Sequence, residues 1–395
     1  MREKLDKLRG IVKNIDYIIV LVVTILICIG LFCTRQAFQK NEDLNTILIK
    51  QIAGIMIGYF LLIAVILIDF HFYCNISLLI YFAMIAILTY TLVAGPSINN
   101  VNRWIMIFGI PFQPSELTKV ALILVMAFLC NRFRSKLDKL TVFFILAATA
   151  VLPIALIILE PHLSSGMSLL FIFCIIVYSS GISYKVIGAA LALTLPVVAG
   201  LIISVLVFQV DLPFIEEYQI KRVLFFLSTD EEDNQSGDFQ QNQSIAAIGS
   251  GGLNGKTISM NEEERRYRNL YAKESDFIYA VVGEEFGFIG SFIILMLYAI
   301  LIFRCIVISI RSTDYMGRII CMGVSAYLMF QIFVNIGVAT KILPNTGLTL
   351  PFISYGPTSM ISSMLAVALV VNIGIRQRIK KDSHSSYSNL SFGSR

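Results

Sequence analysis

The sequence predicts an all-α, polytopic membrane protein with ten transmembrane helices, and three observations carry this prediction. The 395-residue chain is 57% hydrophobic and only 14% charged, which is too apolar for a soluble globular protein. Windows of about twenty mostly apolar residues recur, and each is long enough to cross a hydrocarbon core as a helix. One long polar passage, residues 211–275, separates the seventh and eighth windows and predicts a large loop there.

The positions of the apolar windows place the spans. Pro114 opens the fourth span at its first turn, where the missing N–H is tolerated. We expect residues 1–16 to form a basic N-terminal segment, residues 17–376 the membrane domain, and the Ser-rich residues 377–395 a disordered tail. The predicted spans are 17–33, 52–68, 76–93, 113–130, 142–159, 167–178, 186–210, 277–303, 319–338 and 360–373.

Lys and Arg are distributed unevenly between the two sides of the membrane. One side carries Arg2, Lys4, Lys7, Arg9, Lys13, Arg132, Arg134, Lys136, Lys139, Lys185, Arg304, Arg311, Arg318, Arg376, Arg378, Lys380 and Lys381. The other carries Arg35, Lys40, Lys50, Arg103, Lys119 and Lys341. The positive-inside rule therefore predicts cytoplasmic termini and an extracytoplasmic 211–275 loop. Because the net charge of +5 is spread over short loops, it argues against a nucleic-acid partner.

Two acids mark the start of the eighth span. Asp276 lies where the polar loop gives way to apolar sequence, and Glu284 follows eight residues later, near the same helical face and roughly 12 Å deeper. Carboxylates at membrane depth are costly unless they are paired or face water, which makes them functional candidates. Periodicity alone equally allows a structural alternative, in which Asp276 caps the helix and Glu284 pairs with a cation.

The outward-facing short loops carry further candidates. Trp104, the only tryptophan, follows Arg103, although interfacial anchoring is an alternative role for it. Glu160 and His162 place an acid and an imidazole at the mouth of a span. Residues 343–357 are too apolar for a solvated loop and too rich in Pro and Gly for a helix, and broken backbone is tolerated at membrane depth only against protein or a cavity. We therefore expect several outward elements to fold back around one pocket.

One glycine-rich stretch invites a misleading interpretation. Residues 249–257 look like a phosphate-binding P-loop, but Ser250 replaces the first glycine and no βαβ unit surrounds it. A flexible turn is the better prediction.

Several motifs occur in a fixed order along the chain. They are Asn102-Arg-Trp-Ile, Gln113-Pro-Ser-Glu-Leu-Thr-Lys119, Glu160-Pro-His-Leu, Tyr218-Gln219 with Arg222, Gln243-Ser244 with Ala247-Ile-Gly-Ser-Gly-Gly, Ser275-Asp-Phe-Ile-Tyr-Ala-Val-Val-Gly-Glu-Glu-Phe-Gly-Phe-Ile-Gly290 and Leu350-Pro-Phe-Ile-Ser-Tyr-Gly356. Together they resemble the SEDS family (shape, elongation, division and sporulation), which includes RodA, FtsW and SpoVE. The pattern leans towards the RodA type without separating elongation from division or sporulation.

The resemblance implies an enzyme, a substrate and a partner. The enzyme is a peptidoglycan glycosyltransferase that polymerises polyprenyl-linked lipid II at the outer face of a bacterial cytoplasmic membrane. The expected partners are a class B penicillin-binding transpeptidase and membrane lipids. Two rival functions stay open: a lipid II flippase or transporter, which makes no glycan strands, and a catalytically weak scaffold, whose cellular function would survive Asp276→Ala.

The resemblance also assigns roles to residues. Asp276 matches the family's essential loop acid and is the candidate general base. The predicted substrate-binding residues are Lys119, Glu116, Arg103, Trp104, Arg222, Glu284 and His162. The leaving diphosphate calls for these basic side chains or for a divalent cation, Mg²⁺ or Mn²⁺, and the sequence does not decide between them. Glu116 and Lys119 could instead form a buried ion pair that only locks the fourth span.

The sequence departs from the family at two of these motifs. His162 stands where the family usually has an acid, and Ser164 and Ser165 replace a Gly-Thr pair. The family's Gly-Gly-Ser-Ser becomes Gly356-Pro-Thr-Ser359. Because an imidazole cannot copy an acid's negative charge, these changes leave room for altered activity.

Overall fold

The structure, a computed structural model, describes residues 9–39, 43–95, 103–107, 110–190, 192, 237–257 and 265–392. It is built almost entirely of helices. In chain order they are α1 Tyr17–Ala37, α2 Leu44–Leu67, α3 Phe70–Asn75, α4 Ser77–Ala94, α5 Pro114–Arg132, α6 Leu140–Leu159, α7 Leu163–Ser179, α8 Gly237–Ser250, α9 Ile278–Arg311, α10 Tyr315–Ala339 and α11 Pro357–Phe392. A two-stranded antiparallel hairpin, β1 Ile105–Ile107 and β2 Ile110–Phe112, lies between α4 and α5.

The membrane spans agree with the apolar windows of the sequence. Among the described residues, eight helices are long and apolar enough to cross a bilayer, namely α1, α2, α4, α5, α6, α9, α10 and Pro357–Lys381 of α11. Helix α7 is apolar but shorter. The all-α, polytopic membrane class is therefore confirmed. The predicted seventh span, 186–210, and the first part of the large polar loop lie mostly outside the described residues.

Helices α5, α10 and α11 form the centre of the bundle. Of their most apolar stretches, 78%, 72% and 89% is buried, against 28% in α4 and in α6. The central helices carry polar side chains that lipid would not tolerate, such as Glu116, Gln331 and Asn372. Helices α4 and α6 instead expose large apolar side chains such as Phe82 and Val151. Polar content therefore decides which apolar helices lie inside.

Helix α9 is broken at Gly287, two residues after the buried pair Glu284 and Glu285. Gly287 has φ 64° and ψ −163°, a conformation that only glycine adopts readily. The break leaves backbone groups without helical partners, and the turn formed by residues 251–257, directly after α8, pairs with them. The bonds run from Lys256 N–H to Glu284 O (3.0 Å), Thr257 N–H to Glu285 O (3.2 Å), Phe288 N–H to Gly252 O (2.9 Å) and Ile289 N–H to Leu253 O (3.1 Å). The stretch that resembles a P-loop is thus a docked structural turn.

The C-terminal helix is longer than expected. The sequence predicts a disordered tail from residue 377, whereas α11 continues to Phe392. The disorder of this tail stays a prediction from its composition.

Candidate active site

A cavity of about 460 Å³ lies at the end of the bundle where α5, α7, α9 and α11 begin. Its walls come from the segment around β1 and β2, the start of α7, the turn before α9 and the loop before α11. Side chains that line it include Arg103, Trp104, Gln113, His162, Glu274, Asp276, Thr349, Tyr355, Thr358 and Ser359. The outward elements therefore do fold back around one pocket, and four of the predicted site residues meet there.

Asp276 lies one residue before the N-cap of α9 and is half-buried at the cavity wall. Its N–H donates to Ala272 O at 3.1 Å, which closes a turn at the end of the polar loop. On α10, the Nδ2 of Asn335 donates to Asp276 O at 3.0 Å and to Leu348 O at 2.7 Å. One buried amide thus fixes the acid's backbone and the opposite cavity wall together.

The loop before α11 is braced against the same turn. Tyr355 N–H donates to Glu274 O at 2.8 Å, and Ser354 Oγ donates to Ser275 O at 2.7 Å. Gln51 of α2 also binds this loop. Its Nε2 donates to Ser354 O, and its Oε1 accepts from the N–H of Gly356. These contacts satisfy irregular backbone at membrane depth and hold the acid in a preorganised frame.

Arg103 lies across the cavity mouth. Its Nε donates to Glu160 O at 2.9 Å, and its Nη2 donates to Pro161 O. The β1–β2 hairpin that follows is fastened to α11, because Gln113 N–H donates to Thr358 Oγ1 at 3.2 Å. The guanidinium is therefore oriented by backbone carbonyls, with Trp104 next to it in the cavity wall.

His162 is the N-cap of α7 and is only 5% exposed. Its ring nitrogens lie 3.4 Å from Gln113 Nε2 and 3.4 Å from Ser165 Oγ. Burial, together with the charges of Arg103 and Lys119, lowers the pKa of His162 to about 3. The imidazole is neutral at physiological pH and can exchange hydrogen bonds, but it carries no charge to a substrate.

Glu160 is an acid near the site for which the sequence predicts no catalytic or binding role. The residue is 1% exposed, and its Oε1 has no hydrogen-bond partner among the described residues. Burial raises the pKa of Glu160 to about 8, against the opposing effect of Arg103. The signal for this residue was the acid–proline–imidazole spacing, which brings an acid to the end of α6 beside the cavity.

Lys119 and Glu116 do not belong to the cavity lining. Lys119 Nζ lies 2.5 Å from Glu116 Oε1, and both side chains are buried inside α5. Glu116 Oε2 also accepts from Gln331 Nε2 at 3.3 Å and Ser362 Oγ at 3.4 Å, which joins α5 to α10 and α11. Their arrangement supports the alternative of a buried ion pair over the predicted role in substrate binding, and Arg103 is the guanidinium that lines the cavity with Asp276.

Glu284 is also placed away from the cavity, fully buried beneath the docked turn. Its Oε1 accepts from Lys256 Nζ at 2.6 Å, Ser250 Oγ at 3.0 Å and the N–H of Arg266 at 2.8 Å, and its Oε2 accepts from Tyr267 N–H at 2.8 Å. This position supports the structural alternative, a paired acid, over the predicted role in substrate binding. Arg222 lies outside the described residues.

Glu285 is the second buried glutamate that binds the loop after α8. Its carboxylate accepts from Arg265 Nε at 2.8 Å, Tyr267 O–H at 2.8 Å and Thr257 Oγ1 at 3.0 Å. All four carboxylate oxygens of the two glutamates are satisfied, so the loop after α8 is tied to the broken helix by charge as well as by backbone.

Comparison with known proteins agrees with this architecture over nearly the whole chain. The family described as "Cell cycle protein" (FTSW_RODA_SPOVE) matches residues 14–379. This chain belongs to the FtsW/RodA/SpoVE family. Among its relatives, Stage V sporulation protein E of Bacillus subtilis is 30% identical over 371 residues, covering 91% of this chain and 96% of the relative. A probable peptidoglycan glycosyltransferase FtsW of Geobacter sp. (strain M18) is 28% identical over 375 residues, covering 93% and 98%.

Two solved structures share the fold of this FtsW/RodA/SpoVE protein. The rod shape determining protein RodA of Thermus thermophilus has a TM-score of 0.63 at 23% identity, covering 91% of this chain and 96% of that one. A chain from work on "structural coordination of polymerization and crosslinking by a peptidoglycan synthase complex" has a TM-score of 0.72 at 24% identity, covering 92% and 98%. The family match over residues 14–379 includes every segment that lines the cavity.

Proposed function

We propose that this family member is a peptidoglycan glycosyltransferase that polymerises lipid II into glycan strands at the outer face of the cytoplasmic membrane. The observation that carries the proposal is Asp276, a half-buried carboxylate held by its backbone at the wall of a cavity within a membrane bundle. The names of the relatives, which include probable peptidoglycan glycosyltransferases, support the same reaction class.

Asp276 acts as the general base in this proposal. Glycosyl transfer requires that an attacking sugar hydroxyl loses its proton as the new bond forms, and a carboxylate within hydrogen-bond reach can accept it. The turn at Ala272 and the Asn335 amide fix the backbone of the acid, so little reorganisation is needed when the hydroxyl arrives. Glu284 cannot serve, because donors already surround its oxygens.

Arg103 supplies positive charge for the diphosphate leaving group. Its two carbonyl partners orient the guanidinium at the cavity mouth, where a phosphate can approach it. His162 is neutral and serves as a hydrogen-bonding group instead. The hydroxyls of Thr349 and Ser359, 2.7 Å apart, line the same wall and can bind sugar hydroxyls.

A divalent cation, Mg²⁺ or Mn²⁺, also fits the residues of the cavity. Mg²⁺ is usually held by one or two carboxylates together with substrate phosphates, and Asp276 and Glu274 both line the wall. Over the described part of the chain, no three His, Cys, Asp or Glu side chains cluster, so an all-protein cage is not formed there. When bound, such a cation supplies charge to the diphosphate.

The membrane setting completes the proposal. The lipid tail of the substrate stays in the bilayer while its head group reaches the cavity, which requires a site at the outer end of a helical bundle. The excess of Lys and Arg at the other end supports cytoplasmic termini and this outward orientation. A class B penicillin-binding protein is the proposed partner, which would cross-link the strands as they form.

Polymerisation of lipid II by the purified full-length chain tests the assignment. Asp276→Asn keeps the shape of the side chain and removes the base, so we expect strand synthesis to fall by about 10²–10⁴-fold with unchanged thermal unfolding. Arg35→Gln, a change of charge at an exposed residue of α1 on the same side, is the control and should retain activity.

Two results would contradict the assignment. Lipid II translocation without strand synthesis would favour a flippase. Full cellular function of Asp276→Ala would favour a scaffold that positions its partner.

A further inference from the structure

A second, larger cavity of about 800 Å³ lies at the opposite end of the bundle from Asp276. It is formed where α1 begins and where α9 and the membrane-spanning part of α11 end. Helix α9 connects the two sites, since it starts beside Asp276 and reaches this cavity at Arg304. The proposed polymerase chemistry uses none of the residues that line it.

The charge of this inner cavity is strongly unbalanced. Its lining includes five cations, Arg304, Arg311, Arg378, Lys380 and Lys381, and one acid, Asp16. Asp16 is 3% exposed and accepts from both Arg304 Nη2 and, at 3.1 Å, Arg378 Nη2. One carboxylate is therefore shared by two guanidinium groups. It holds them close together, and one carboxylate cannot neutralise two guanidinium groups.

One donor of this cluster is left without a partner. The Nε of Arg304 is buried and has no hydrogen-bond acceptor among the described residues. A buried charged donor without an acceptor is costly, and negative charge in the adjacent cavity lowers that cost.

The other residues that line the inner cavity are Val307 and Ile308 of α9, Gly374 and Gln377 of α11, and Thr313. The site thus combines cationic side chains with an apolar surface formed by Val307 and Ile308 at the end of a membrane bundle. Cationic and apolar groups side by side match a ligand with an anionic head and hydrocarbon chains. A soluble anion would leave the apolar side chains in contact with water.

We propose that this cavity binds the phosphate head group of an anionic phospholipid, with its acyl chains against Val307 and Ile308. The head group provides oxygen atoms that accept hydrogen bonds from Arg304 and Arg378. Binding therefore connects α1, α9 and α11 through one ligand. Because a ligand that binds only the folded state raises its stability, the protein is more stable in anionic than in zwitterionic lipid.

Two charge-matched triple variants of the full-length chain test this site. R311Q/K380Q/K381Q removes three exposed cations from the cavity rim. R132Q/K136Q/K139Q removes three exposed cations at the same end of the bundle, after α5, that do not line the cavity. The measurement is the thermal unfolding of delipidated protein in detergent, titrated with phosphatidylglycerol, with phosphatidylcholine, or with inorganic phosphate.

We expect phosphatidylglycerol to raise the unfolding temperature of the wild-type chain and of R132Q/K136Q/K139Q alike. In R311Q/K380Q/K381Q the apparent affinity should fall about a hundredfold, and in the single variant R311Q about fivefold. Phosphatidylcholine and inorganic phosphate should stabilise little at the same concentrations. Equal losses in the two triple variants, equal stabilisation by phosphatidylcholine, or stabilisation by inorganic phosphate alone would overturn the proposal.

Discussion

Asp276 and the Glu284–Glu285 pair begin the same helix, yet they lie in opposite environments. Asp276 lines a cavity and is half-buried, whereas both glutamates are fully buried and accept hydrogen bonds at all four carboxylate oxygens. The depth of an acid in a membrane protein therefore does not by itself indicate function. The donors that surround it separate a reactive carboxylate from a structural one.

Two features of α9 account for the difference. Asp276 lies before the N-cap, so helical periodicity does not extend to it. The break at Gly287, just after the glutamates, exposes backbone groups that bind the turn after α8, and this turn brings Lys256 to Glu284. The same turn does not reach Asp276, which stays open to the cavity.

The largest expected loss of stability comes from removing one of the two buried glutamates. Glu285→Ala leaves the guanidinium of Arg265 and the hydroxyl of Tyr267 buried without their acceptor, so we expect about 3–5 kcal/mol of destabilisation. Asp276→Ala should change the free energy of unfolding by less than about 1 kcal/mol. Denaturant unfolding in detergent measures both, and similar losses would contradict the distinction between the two acids.

Gly287→Ala should be nearly as damaging. A Cβ there would lie 2.3 Å from the backbone nitrogen of Gly255, and φ is 64°, so the docked turn must move. We expect about 3 kcal/mol of destabilisation. Gly249→Ala is the control, because a Cβ at that helical position meets nothing within 4 Å, and it should be neutral or slightly stabilising. Matched thermal unfolding of the two variants decides the point.

Glu160 extends the comparison to an acid without full pairing, and it predicts a pH dependence. Its folded-state pKa of about 8 lies above the ordinary value of 4.5, so the folded chain binds more protons than the unfolded chain between these values. The free energy of unfolding should therefore fall as pH rises from about 4.5 to 8. Glu160→Gln should remove this slope, measured by unfolding at several pH values. An unchanged slope would mean that a cation stabilises the ionised form of Glu160 in the folded chain.

The smallest expected effect is on the frame around Asp276. Asn335→Ala removes the donors that fix Asp276 O and Leu348 O, so the base is present but less well positioned. We expect kcat for lipid II polymerisation to fall about tenfold with little change in KM. Asn335→Asp should not rescue kcat, because a carboxylate cannot donate to the two carbonyls. A change in KM alone would instead assign Asn335 to substrate binding.

Local sequence patterns were sufficient for the class and for part of the site. Apolar windows predicted the spans because lipid requires long apolar helices, and the outward motifs predicted that Asp276, Arg103, Trp104 and His162 belong together. The broken loop before α11 was also predictable, since its Pro and Gly content forbids a helix and its apolarity forbids a solvated loop.

The amino-acid sequence by itself thus determined the membrane class, the family and the acid that faces the cavity. Only the tertiary structure decided that Lys119 pairs inside the bundle while Arg103 reaches the site, and that Glu284 is sealed by a turn preceding it by nearly thirty residues. The physical reason is that charge pairing depends on contacts between segments distant along the chain. Asp16 and Arg378, near the two ends of the chain, form an ion pair that no local sequence pattern predicts.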